Sequence, residues 1–252
     1  MLRRVGEFPP GPGLASLLDF GGTCPKIARR MPRGSRRTWI LLAVWSAAFI
    51  VALLLDRRVA EWVQQARPLS KGGTWAWWLK LPGDFRFTII LAVVLALSQR
   101  RCLAPALALL LSGPLVGIVY ITLKWGIGRH RPVIAIAPFA VHPFAHGLRG
   151  LFGAEKALSF PSGHAALAFA TATCLTAALP RGWLLFFAFA AAVATERVLE
   201  NAHYLSDVVA GAGFGVCCGL LSLRLVFPSR QPRPAADVEE ARRPVRTSSN
   251  RQ

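Results

Sequence analysis

Carboxylates are scarce in this chain: 12 Asp and Glu stand against 30 Lys and Arg over 252 residues. All charged residues together make up 17%, against 54% hydrophobic, which leaves too little polar surface to cover a soluble globule of this size. The five cysteines show no paired spacing, and Cys174, Cys217 and Cys218 lie inside apolar runs. A disulfide framework is therefore not expected, and small apolar packing residues are. Spaced metal ligands, a P-loop and an internal repeat are all missing. The stretch Leu14 to Leu18 is too short for the core of a signal peptide. Met31, just before the basic run Arg33 to Arg37, is a second candidate start.

The net charge of +18 raises the question of nucleic acid, but its placement answers against it. Eight of the 30 Lys and Arg lie within residues 1–38 and six within 228–252, outside the apolar segments. No nucleic-acid-binding fold or spaced basic-aromatic pattern accompanies them. Basic tails beside membrane spans instead fit anionic lipid and control of orientation.

Three regions follow. Residues 1–38 and 228–252 are expected to be basic cytoplasmic tails, the first mostly unstructured, and 39–227 a single membrane domain. The fold class is all-α, a polytopic membrane helix bundle with about six transmembrane helices. The expected spans are Trp39 to Leu55, Phe85 to Ser98, Leu103 to Leu123, Ala165 to Leu179, Trp183 to Thr195 and Val208 to Phe227. They are judged against the roughly 20 apolar residues that cross a bilayer, and the second, fourth and fifth fall short of it. The tails, Gln99-Arg100-Arg101 and Pro180-Arg181-Gly182 share one side, which the positive-inside rule makes cytoplasmic. Loop 56–84 also carries Arg57, Arg58, Arg67, Lys71 and Lys80. Its Trp62, Trp75, Trp77 and Trp78 suit either an interfacial segment or ordinary packing. This layout puts the motif loops on the outer face.

Phosphoryl chemistry needs clustered cations, a nucleophile with an orienting carboxylate, and a second acid/base group. His203 and Asp207 are four residues apart and share a helix face, so the carboxylate can hold the imidazole in the tautomer whose other nitrogen attacks. Ser162-Gly163-His164 precedes an apolar helix, whose N-terminus offers backbone N–H groups to an anion. Gly163 permits close approach, Ser162 adds a donor, and His164 can protonate a leaving oxygen. A plain helix cap is the alternative reading for Ser162, and a polar cap cluster for His203 and Asp207. Lys124, Arg131 and Arg197 would clamp phosphate oxygens, with Pro132 fixing the backbone after Arg131. Arg129 and His130 read better as solvated charges of a polar loop. Phe139, His142, Phe144, His146 and Phe152 populate loop 133–160 and are expected to pack over the site.

These blocks resemble the type 2 phosphatidic acid phosphatase superfamily, which includes the vanadium haloperoxidases. The pattern of Lys, six residues and Arg-Pro is Lys124 to Pro132, and Pro-Ser-Gly-His is Pro161 to His164. The third block, Ser-Arg, five residues, His, three residues and Asp, gives Arg197, His203 and Asp207. Glu196 stands where the family usually has Ser. The resemblance implies a metal-independent phosphatase with no cofactor and a phosphohistidine at His203. Asp207 would orient His203, His164 would serve as general acid and base, and Lys124, Arg131, Ser162, Gly163 and Arg197 would bind phosphate. The expected substrate is a phosphorylated membrane lipid (undecaprenyl diphosphate, phosphatidylglycerol phosphate, phosphatidic acid or a lipid A phosphate). It would be hydrolysed at the outer face of the cell membrane. A non-catalytic lipid-phosphate binding or transport protein is the alternative, and a vanadate-dependent haloperoxidase a weaker one, since those relatives are soluble and larger.

Overall fold

The computed structural model describes residues 36–66, 78–98, 102–134, 136–144 and 157–227. Six α-helices occur among them: α1 Arg36–Ala66, α2 Phe85–Ser98, α3 Leu103–Ile127, α4 Gly163–Ala178, α5 Trp183–Leu199 and α6 Leu205–Val226. Two isolated bridges, Arg129 to Val141 and His130 to Leu158, are the only β pairing among the described residues. The protein is all-helical. The terminal tails, Trp75, Trp77, Arg67, Lys71, Gln99 to Arg101, His146 and Phe152 lie outside the described residues, apart from Arg36 to Thr38, which open α1.

Among the described residues four helices are long and apolar enough to cross a membrane: α1, α3, α5 together with the turn at Pro180, and α6. Of the six expected spans, α2 and α4 are short as expected, and the fifth reaches spanning length only with its preceding turn. At about 1.5 Å per residue, the 14 residues of α2 and 16 of α4 reach roughly 21 and 24 Å, short of a hydrocarbon core of about 30 Å. The first helix departs most from expectation. It does not end near Leu55 but runs 31 residues to Ala66, so Arg57, Arg58 and Trp62 are helical and not in a loop. Charge at Asp56-Arg57-Arg58 ends the apolar run without ending the helix. Arg57 pairs with Glu61 one turn on, at an exposed surface.

Small residues set the packing. Gly211, Gly215 and Gly219 recur at four-residue intervals and form one stripe along α6. A Cβ at Gly211 would stand 2.6 Å from the Ser162 carbonyl oxygen, and one at Gly219 2.9 Å from that of Ala170. A Cβ at Gly215 would collide with the Ala166 backbone. The Ala-rich α4 answers this stripe, so the two backbones approach closely, as membrane helices do where small residues face each other. Ala165, Ala166 and Ala170 are buried on that side, while Ala168 and Ala172 are buried against Ala190 and Val193 of α5. Helix α1 is mostly exposed, with Ile40, Leu41, Val44, Val51 and Leu54 facing outward. Its buried residues, Ala52, Asp56, Ala60 and Val63, form a single face in its C-terminal half. Trp45 joins α1 to α6 by donating from Nε1 to the Val209 carbonyl at 3.1 Å.

Candidate active site

One end of the bundle gathers the chemistry. Lys124 lies in the last turn of α3, His164 in the first turn of α4, Arg197 in the last turn of α5, and His203 just before α6. Gly128 ends α3 in the left-handed conformation (φ 64°) that glycine adopts without a steric penalty. A Cβ there would strike the His142 carbonyl, so the chain turns tightly into Arg129 to Pro132. Ser162 caps α4 and donates its backbone N–H to the Asp207 carbonyl at 3.0 Å, so the close helix pair carries both loops together.

His203 is buried, and its Nδ1 lies 2.8 Å from the Ser159 carbonyl oxygen. A carbonyl only accepts, so Nδ1 carries the proton and Nε2 keeps its lone pair. No hydrogen bond among the described residues engages Nε2. Asp207 Oδ2 stands 3.7 Å from Nδ1, farther than the carbonyl. The Asp207 carboxylate accepts the Ser159 hydroxyl and, at 2.8 Å, the Tyr204 N–H. It therefore fixes the segment whose carbonyl holds the ring. Burial pushes the His203 pKa below the ordinary 6.5. Asp207 pulls it back up, and the charges of Arg131 and Lys124 lower it further.

Arg129 is not a solvated loop charge. It is 3% exposed, and its Nη1 donates to Asp207 Oδ1 at 2.6 Å and to Ser206 Oγ at 2.8 Å. Nη2 reaches Asp56 Oδ2 at 2.6 Å, and the guanidinium carbon sits 4.0 Å from the centre of the Tyr204 ring. Asp56 also accepts the Ser206 N–H at 2.8 Å and its hydroxyl at 2.6 Å. One buried network thus ties α1, the loop after α3 and the start of α6 to the carboxylate behind His203. Burial without such partners would cost several kcal/mol per ion.

Lys124 is buried beside Tyr120, with Nζ 2.5 Å from the phenol oxygen and 4.3 Å from the ring centre. Arg131 Nε donates to the Leu158 carbonyl at 3.1 Å, and burial lowers its pKa from the ordinary value. Lys124 and Arg131 act electrostatically on His203, while Arg197, His203, Asp84 and Lys80 act on His164. Gly83 holds the segment before α2 against His164, where an added Cβ would lie 2.8 Å from the His164 carbonyl. The Ser162 hydroxyl is fully buried with no hydrogen-bond partner, an arrangement that an incoming acceptor would satisfy. Gly163 packs under Tyr120, whose ring an added Cβ would meet at 2.8 Å.

Arg197 is engaged by carboxylates. Glu196 accepts from Nε and Nη2 at 2.6 Å each, and Glu200 from Nη2 at 2.8 Å. Lys80 pairs with Glu200. Burial pushes the Glu200 pKa up, but the Lys80 hydrogen bond and the Arg197 charge outweigh it and hold the carboxyl below its ordinary value.

The structure therefore brings Lys124, Arg131, Ser162, Gly163, His164, Arg197, His203 and Asp207 to one end of the bundle. Sequence reasoning passed over Asp56, Ser159, Ser206, Lys80 and the part played by Arg129. A lone carboxylate on the face of α1 formed by Ala52, Ala60 and Val63 was the available signal. Among the described residues no three His, Cys, Asp or Glu side chains are grouped to hold a metal ion.

Comparison with known proteins gives one family. The PAP2 superfamily profile matches residues 103–231. Over 113 residues the chain is 34% identical to a lipid A 1-phosphatase of Rhizobium johnstonii, covering 42% of this chain and 41% of the relative. A lipid A 1-phosphatase of Rhizobium etli is 33% identical over 113 residues, 42% of this chain and 44% of the relative. The chain thus spans about two fifths of the length of these relatives. The crystal structure of Aquifex aeolicus LpxE aligns with a TM-score of 0.48 at 26% identity, over 60% of this chain and 84% of that one.

Proposed function

Starting from the chain's membership of the PAP2 superfamily, we propose that it is a membrane lipid phosphatase working through a phosphohistidine at His203. The observation that carries this reading is the bond from His203 Nδ1 to the Ser159 carbonyl, which leaves Nε2 as the nucleophile. Attack by Nε2 on phosphorus forms the N–P bond as the ester P–O bond breaks. His164 delivers a proton to the departing oxygen. In the second step His164 takes a proton from water, the water oxygen bonds to phosphorus, and the P–N bond breaks. Inorganic phosphate leaves and His203 is regenerated. Asp207 acts through Ser159 and the Tyr204 N–H to hold the ring.

Negative charge spreads over the equatorial oxygens in the transition state. Lys124, Arg131 and Arg197, already in place, stabilise it without reorganising. The buried Ser162 hydroxyl and the N–H groups at the start of α4 complete the cradle. The site lies at helix ends, where a lipid can keep its tail in the bilayer while its phosphate enters the clamp. By charge distribution that end faces outward, the periplasmic side of an inner membrane. The relatives named as lipid A 1-phosphatases make a phosphorylated glycolipid the first substrate to try.

The test is phosphate release by the detergent-solubilised protein across a panel of phosphorylated lipids, with EDTA present, against His203→Ala. Release that persists in EDTA and vanishes in the folded variant is expected. Full turnover by His203→Ala would overturn the mechanism. Absence of release from every lipid would transfer the scaffold to lipid-phosphate binding or transport.

A further inference from the structure

Arg197 does not approach the site with its whole guanidinium. Glu196 meets it fork to fork, taking Nε and Nη2 at 2.6 Å each, and Glu200 takes the other Nη2 proton at 2.8 Å. The N–H groups of Nη1 are left outside these bonds. A forked grip on phosphate needs two neighbouring nitrogens, either Nε with Nη2 or both Nη groups. With Nε and Nη2 held by carboxylates, any contact between Arg197 and a phosphate runs end-on through Nη1. In the superfamily motif position 196 usually holds serine, whose short hydroxyl cannot span that fork.

The helix alone does not give this pairing. Adjacent residues on an α-helix point about 100° apart, so Glu196 and Arg197 meet only where something draws them together. Lys80 does so from outside α5. It bonds Glu200, and its Nζ stands 3.7 Å from Glu196 Oε1. Glu200 lies one turn beyond Glu196, so a single ammonium braces both carboxylates that hold Arg197. Glu196 is 1% exposed and Arg197 5%, and water competes little for bonds so buried. Lys80 and Gly83 belong to one short segment ahead of α2, and Gly83 packs against the His164 backbone. That segment lies outside the residues 103–231 matched by the family profile.

We propose that Glu196, braced by Glu200 and Lys80, is a positioning residue that aims Arg197 so that Nη1 meets an equatorial oxygen of the transferring phosphoryl group. This role rests on the phosphatase reading and on Arg197 as part of the clamp. Its effect lies in direction and not in affinity. A carboxylate beside Arg197 weakens the pull on an anion already bound, yet it fixes where that pull acts as the bonds change.

The experiment compares binding of orthovanadate and of inorganic phosphate, each titrated against the unfolding temperature of the detergent-solubilised protein. Vanadate accepts a further ligand, here His203 Nε2, and copies the transition state, whereas phosphate stays tetrahedral and copies the bound ground state. The proteins are the parent, Glu196→Gln, Lys80→Met, Arg197→Ala and Arg197→Ala with Glu196→Gln. Glu196→Gln keeps the side chain's size but only one acceptor oxygen, so the fork is lost. It should lower the vanadate-to-phosphate affinity ratio about tenfold or more, with kcat falling and KM not rising, as misdirection of a clamp residue implies. Lys80→Met leaves both members of the fork in place and should move the ratio the same way by less, which carries the test if Glu196→Gln does not fold. In the Arg197→Ala background, Glu196→Gln should leave the ratio unchanged. A constant or raised ratio in both single variants overturns the proposal, and so does an equal fall without Arg197. A folded parent inactive on every phosphorylated lipid would instead refute the phosphatase reading beneath it.

Discussion

Arg129→Ala is the most informative single change in the core of the site. It removes bonds of 2.6 Å to Asp56, 2.6 Å to Asp207 and 2.8 Å to Ser206, together with the contact to the Tyr204 ring. Two fully buried carboxylates are left without their cation. Removing one partner of a buried ion pair costs about 3–5 kcal/mol, a large share of the roughly 5–15 kcal/mol that holds a domain folded. The structure places Arg129 between two such partners, so the upper part of that range is expected. Activity should fall for a separate reason. Asp207 would lose a charge-assisted bond worth about 1.5–3 kcal/mol, so it would hold less firmly the Ser159 segment whose carbonyl sets the His203 tautomer. If that loss is carried to the transition state, kcat/KM drops about 10- to 100-fold at 1.4 kcal/mol per decade.

The assay is unfolding in detergent alongside turnover, for Arg129→Ala, Asp56→Ala and the double variant. Because the double variant removes a charge of each sign, it should be less destabilised than the two singles summed, by about 1–3 kcal/mol. A loss below about 1 kcal/mol for Arg129→Ala, with full turnover, would return Arg129 to a solvated loop charge and refute the network argument.

Two further outcomes follow from the site. Because burial lowers the His203 pKa below 6.5, the unfolded chain binds more protons than the native one just below that pH. Stability from this group is therefore complete above 6.5 and declines as pH falls through the window beneath it. The acid limb of kcat/KM that reports His203 should also lie below 6.5, and a limb at or above that value contradicts the assignment. Ser162→Ala removes a hydroxyl that has no protein partner, so unfolding in the absence of ligand should change little. Inhibition by vanadate, a phosphate analogue, should weaken about 10- to 100-fold, the worth of a bond to a charged group. Unchanged inhibition removes Ser162 from the cradle.

The sequence alone determined the class of the molecule and its family, because both are written in local features. Long apolar runs bounded by charge state their helices directly. The spacings from Lys124 to Pro132, Pro161 to His164 and Arg197 to Asp207 survive in one dimension, since each block occupies one helix end and its adjoining turn. Helix lengths were less legible. Charge at Asp56-Arg57-Arg58 marks where α1 ceases to be apolar, whereas the helix itself continues on its own hydrogen bonds to Ala66.

Only the tertiary structure decided how the site is held together. Asp56 and Arg129 are 73 residues apart, and a pairing at that separation leaves no local trace. The group nearest His203 Nδ1 is a backbone carbonyl, which every residue type possesses, so the identity of Ser159 does not announce it. Glu196 was visible as a departure from the motif, but its grip on Arg197 and their joint neutrality with Lys80 and Glu200 depend on side-chain directions and burial. Electrostatic balance is a sum over space, and a chain states its charges without stating which of them meet.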